Sequence, residues 1–164
     1  MNDTKDTKPS DQTIHPQPIY AYLTPLAFHN YSTQYLTVAR AARGESGFSP
    51  VPYYLYCRSL ELSMKAYLLA KGVEKTELKK RSLGHDLNQI LGKGETLGLG
   101  TLVKLTDEER REVSKANVYY VHKEFEYANV LKTVQSYPGL PDLGILDVLA
   151  NRLLTAVHPI CLSA

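Results

Sequence analysis

The placement of proline constrains this chain more than any other feature. Nine prolines stand at positions 9, 16, 18, 25, 50, 52, 138, 141 and 159, and residues 53–137 contain none. Proline removes a backbone donor and disrupts a helix interior, so the long proline-free stretch has room for long helices and its flanks are punctuated. Across the chain, apolar residues return every three or four positions rather than every second one. That is the period of a helix face and not of a strand.

A first helix is predicted over 25–43, with Thr24 as cap and Pro25 at the first helical position. Its apolar stripe is Phe28, Tyr31, Tyr35, Val38 and Ala42, and Gly44 and Gly47 mark its end. A second helix is predicted over 50–71, capped by Ser49 and started by Pro50, with Gly72 as its stop. Tyr53, Tyr56, Cys57, Leu60, Met64, Tyr67 and Leu68 form its stripe, and Leu55, Leu62 and Leu69 widen it. So wide a face marks the central, most buried helix.

The charged connector EKTELKKR follows, then SLGHDLNQIL as a short helix, ended by the glycine-rich run over 92–100. TLVKL (101–105) suits either a brief extension or a strand. Thr106 and Glu109 match a capping box, opening a helix whose period through Val113, Ala116, Tyr120, Phe125, Ala128, Leu131 and Val134 predicts an end near 134. A last helix is predicted from Asp142 towards Pro159, with Leu146, Leu149, Leu153, Val157 and Ile160 inward. Four long helices and one short one imply an all-α fold, an antiparallel up-and-down bundle.

The 164 residues fit one domain, expected over 19–164, large enough to bury a core without a staple. Residues 1–18, polar and proline-containing, read as a disordered leader without the apolar region of a signal peptide. A net charge of +2 is too balanced to imply nucleic-acid binding by bulk electrostatics and leaves room for a local basic patch. Cys57 and Cys161 form no C-x-x-C pair, which predicts reduced thiols and a cytoplasmic location. No uninterrupted run of 18 apolar residues occurs, so no membrane span is expected. The histidines at 15, 29, 85, 122 and 158 lack metal-ligand spacing, and GKGETLGLG lacks the Gly-Lys-Ser/Thr ending of a phosphate loop. Neither a metal nor a cofactor is expected.

Three segments occur in a suggestive order: YYLYCRSLELSMKAYLLAKG, then GHDLNQIL, then YYVHKEFEYAN. The chain thereby resembles the HEPN superfamily, whose bundles often carry an E-x-x-x-K helix ending in glycine, a G-H-D-L segment and a later aromatic–x–Tyr element such as Phe125-Glu126-Tyr127. The resemblance covers roughly residues 26–130. It implies a four- or five-helix bundle that dimerises, often beside a nucleotidyltransferase partner protein. Many members are toxin-like, metal-independent ribonucleases of toxin–antitoxin systems, and others bind nucleotides, RNA or proteins without catalysis. The resemblance also implies a catalytic Arg-x5-His pair, which falls here on Arg152 and His158.

The candidate polar residues each have a competing structural role. An offset of six places Arg152 and His158 about 120° apart on an ideal helix, and Pro159 disfavours helical geometry at His158. Lys115 and His122 share a face, but lysine lacks the forked donors of arginine. His85 and Asp86 could orient a base or bind a ligand, or simply start and cap a short helix. Glu61 and Lys65 could hold a phosphate or a partner, or form an intrahelical ion pair joined by Arg58. His122, Tyr119, Tyr120 and Tyr127 could stack a nucleobase, or pack as ordinary half-buried aromatics. The basic end of EKTELKKR could touch phosphate. The balance of these readings favours a noncatalytic nucleotide-, RNA- or protein-binding module, with the ribonuclease as the alternative.

Overall fold

The computed structural model describes residues 22–44, 48–80, 83–127 and 136–164. The leader expected over 1–18 and the part of the third long helix expected over 128–134 lie outside the described residues. Among those described there is no strand, and the fold is all-α. The elements are α1 (Pro25–Ala41), α2 (Val51–Ala70), α3 (Lys75–Leu78), α4 (Leu87–Thr96), α5 (Leu99–Leu102), α6 (Asp107–Tyr120) and α7 (Leu143–Leu162).

Helix α2 is the hub, packed against α1, α7, α4 and α6. Every residue from Ser59 to Leu68 on it is buried. Leu60, Met64 and Leu68 meet Leu36 of α1, Leu87 and Ile90 of α4, and Leu146, Leu149 and Leu153 of α7 in one core. Its end is set by Gly72, in the left-handed region at φ +83°. There the Val73 N–H reaches the Leu68 carbonyl and the Gly72 N–H the Leu69 carbonyl, each at 3.0 Å, which closes a Schellman motif.

The face of α1 differs from the predicted stripe. Tyr31 and Val38 are exposed, at 38% and 54%, and the buried positions are His29, Ser32, Leu36 and Ala39. The seam with α2 uses small residues. The Ser32 hydroxyl donates to the Ser59 carbonyl at 2.7 Å, and the Ser59 hydroxyl donates back to the Ser32 carbonyl at 3.0 Å. Bulky side chains at these positions would have held the helices apart, and Tyr31 and Val38 turn outward.

Three boundaries also differ. Helix α4 does not end at the glycines but runs on through Gly92 and Gly94 to Thr96. At Gly94 a Cβ would come within 2.8 Å of the Leu99 side chain, so this glycine lets α5 press onto α4. Helix α6 has the predicted capping box of Thr106 and Glu109 but ends at Tyr120, well short of 134. Lys123 takes φ +61°, with the Glu124 N–H on the Tyr119 carbonyl and the Lys123 N–H on the Tyr120 carbonyl. This is again a Schellman ending, with lysine where glycine usually stands.

Helix α7 passes through Pro159 to Leu162, so His158 is helical after all. Proline removes one intrahelical bond, but the helix goes on to bury Cys161 in the next turn. By length and composition alone α7 is long and apolar enough to cross a membrane, a test that a buried core helix also passes. In the fold it packs against α2 and α1, with Leu146, Leu149, Leu153 and Val157 buried.

Candidate functional site

Glu61 lies on the inner face of α2, only 1% exposed. An isolated buried carboxylate is costly, so the surrounding donors decide whether it stays ionised. One oxygen accepts from Lys65 Nζ at 2.7 Å and Arg58 at 3.0 Å, the i+4 and i−3 neighbours on the same helix. The other accepts from the Tyr120 hydroxyl of α6 at 2.5 Å and faces His85 Nδ1 at 3.1 Å. These four donors fill the capacity of both oxygens.

Burial by itself would push the Glu61 carboxyl up. The His85 hydrogen bond and the charges of Lys65 and Arg58 outweigh it and hold the group at about 2. Burial, then the adjacent Glu61 charge, pushes the Tyr120 hydroxyl far above its ordinary value, so it remains a donor. Because an ionised carboxylate only accepts, the His85 Nδ1 carries the hydrogen of this bond. The His85 side chain is 45% exposed.

Local structure fixes His85. The Lys65 ammonium also donates to the Gly84 carbonyl at 2.5 Å, tying the segment before α4 to α2. Asp86 then caps α4, accepting from the Gln89 N–H at 3.1 Å. From α6, Asn117 clamps that start: its amide donates to Asp86 at 3.0 Å and its oxygen accepts from the Leu87 N–H at 2.7 Å. Asp86 therefore builds the helix start that places His85.

Above this cluster opens a cleft of about 340 Å³. Arg58, Glu61, Lys65 and His85 form its floor, Leu23, Phe28, Leu62 and Leu78 its apolar walls, and Lys75 and Lys79 its α3 rim. Glu61 is the one acidic residue among the described lining, and all its acceptors are spent inside the protein. The Arg58 Nε is buried with no hydrogen-bond partner among the described residues. The cations beside this neutralised carboxylate leave the described lining with surplus positive charge. Among the described residues no three His, Cys, Asp or Glu side chains gather as a metal site.

No family model, curated protein or solved structure matches this chain. What it can do must therefore be argued from its own residues.

Of the residues singled out by sequence, the fold brings together Glu61, Lys65 and His85, with Asp86 directly behind them. Arg58 and Tyr120 reach the same carboxylate, whereas His122, Tyr127, Arg152 and His158 stand apart from it. His122 is exposed at the end of α6, and Tyr127 is 64% exposed with the Lys123 ammonium 5.8 Å from its ring centre. The aromatic group expected around His122 is split: Tyr120 turns in to Glu61, and Tyr119 donates to the Pro138 carbonyl. Arg152 is spent on Glu109 and on the Lys104 carbonyl at 2.9 Å, which ties α7 to the start of α6. His158 stacks on His29 with ring centres 4.8 Å apart.

Sequence reasoning missed Tyr120 as a partner of Glu61 and did not place Lys75 and Lys79 in the same cleft. The only signal for the lysines was the basic end of EKTELKKR. For Tyr120, 59 residues away from Glu61, there was none.

Proposed function

We propose that this chain is a HEPN-like binding module that takes a phosphate-bearing ligand, a nucleotide or an RNA end, in the cleft over Glu61. One observation carries the reading: Arg58, Lys65, Lys75 and Lys79 line a single cleft whose lone described carboxylate is already saturated. A cavity near the small end of the roughly 300–1,000 Å³ range of ligand sites, with apolar walls and a few convergent polar groups, is the usual form of a small-molecule site.

The HEPN-like kinship and its antiparallel up-and-down arrangement of four long helices belong to this proposal. The order of elements supports them: a Glu61–Lys65 helix closed by Gly72, GHDL leading into α4, and an aromatic element after α6. Self-association and pairing with a nucleotidyltransferase are further parts of it, tested by light scattering on the purified chain with and without such a protein. The ribonuclease alternative has less behind it, because Arg152 and His158 are engaged by separate neighbours.

Calorimetry at low ionic strength tests the reading. AMP or a short oligoribonucleotide is expected to bind, and more weakly as salt rises and screens the cations. No heat with either compound sinks it.

A further inference from the structure

We propose that the cleft selects a terminal phosphate monoester over the internal diester of a polynucleotide, an inference that rests on the binding reading above. The first argument is charge. Four cations line the cleft against one carboxylate, so three positive charges are uncompensated before His85 is considered. A phosphate monoester carries about −1.5 to −2 near neutral pH, whereas an internal diester carries a single charge. The dianion neutralises more of that surplus than the diester does.

The second argument is arrangement. Lys75 and Lys79 stand four residues apart on α3 and its cap, hence on one side of that turn. Neither has a carboxylate partner among the described residues, whereas their neighbour Glu77 is turned to Lys93 at 3.2 Å. They face the α2 cations across the same cleft. Binding along a polynucleotide needs cations strung out to neutralise successive phosphates. Here they line a single cleft of about 340 Å³, with room for a small body against Phe28 and Leu78. The Arg58 guanidinium adds its charge to the same lining, with one terminal nitrogen committed to Glu61 and its Nε buried.

The test compares adenosine, AMP, ApA, which has one internal diester and no terminal phosphate, and pApA, by calorimetry at low ionic strength on the full chain. AMP and pApA are expected to bind about tenfold or more tightly than ApA, since one extra charge a few ångströms from the cations is worth at least that much. The double variant Lys75→Ala/Lys79→Ala removes two exposed side chains, so its melting should be unchanged while its affinity for pApA falls towards that for ApA. Equal affinity for pApA and ApA, or a double variant that discriminates as well as the native chain, overturns the inference and leaves the binding reading intact. If neither AMP, ApA nor pApA binds, the binding reading itself falls and takes this inference with it.

Discussion

Glu61 is 1% exposed and takes donors from α2, from the segment before α4 and from α6, whereas Arg152 is 41% exposed and meets one carboxylate and one backbone carbonyl at the rim of the bundle. The first constellation is assembled from positions 24 and 59 residues away from its centre. The second, Arg152 with His158, was suggested by two residues six apart on one helix, and the fold sends them to different neighbours. Proximity along a helix leaves each side chain free to be claimed by whatever element lies over it. Convergence of distant segments on one buried charge fixes every member at once. The convergent construction lies beneath a cleft that joins four cations to apolar walls.

That contrast can be broken experimentally. The largest effect is expected from Glu61→Gln, which leaves Arg58 and Lys65 without their counter-charge: about 3–5 kcal/mol of stability, read by urea unfolding. A loss below that of an exposed pair would mean the cluster is not the organising centre described here. Acid provides a second route. Glu61 is held at about 2 against an ordinary value of 4.5, so its contribution is fully present above 4.5 and is lost as pH falls from there through 2. By linkage this amounts to about 3 kcal/mol. The native chain should lose stability across that window, and Glu61→Gln should lose less over the same range.

Tyr120→Phe should cost about 1.5–3 kcal/mol, the value of a hydrogen bond to a charged group. It should also move the acid transition of the native chain upward, which a purely packing role would not do. At the other constellation, Arg152→Ala is expected to cost about 1 kcal/mol, because Arg152 is itself 41% exposed and the buried Glu109 keeps its bond from the Thr106 N–H. If Arg152→Ala proves as damaging as Glu61→Gln, the two regions are not different in kind. RNA incubated in EDTA with the native chain and with His158→Ala and His122→Ala completes the comparison. The expected result is no cleavage, and cleavage lost in either variant would restore the ribonuclease alternative.

Legibility from sequence followed the same division. Local chemistry was readable: Thr24 with Pro25, Gly72, and the Thr106–Glu109 box all occupy the ends they mark. So was the Arg58–Glu61–Lys65 group, because its spacing is helical. The buried face of α1 was not, since a search for bulky apolar residues passes over Ser32 and Ala39, whose small size is what lets the helices approach. The end of α6 was hidden because Lys123 holds a backbone conformation that sequence associates with glycine. Tyr120 and the α3 lysines were hidden as site members because no local pattern records which distant segments will meet.

The paired serines between α1 and α2 act as a spacer gauge. Phe28, on one wall of the cleft, is carried by α1, and the floor residues Arg58 and Glu61 by α2. The separation that two hydroxymethyl groups permit at Ser32 and Ser59 therefore sets how far wall stands from floor. Adding bulk at either position would work as a shim, retuning the girth of whatever fits between them without touching a single charged group.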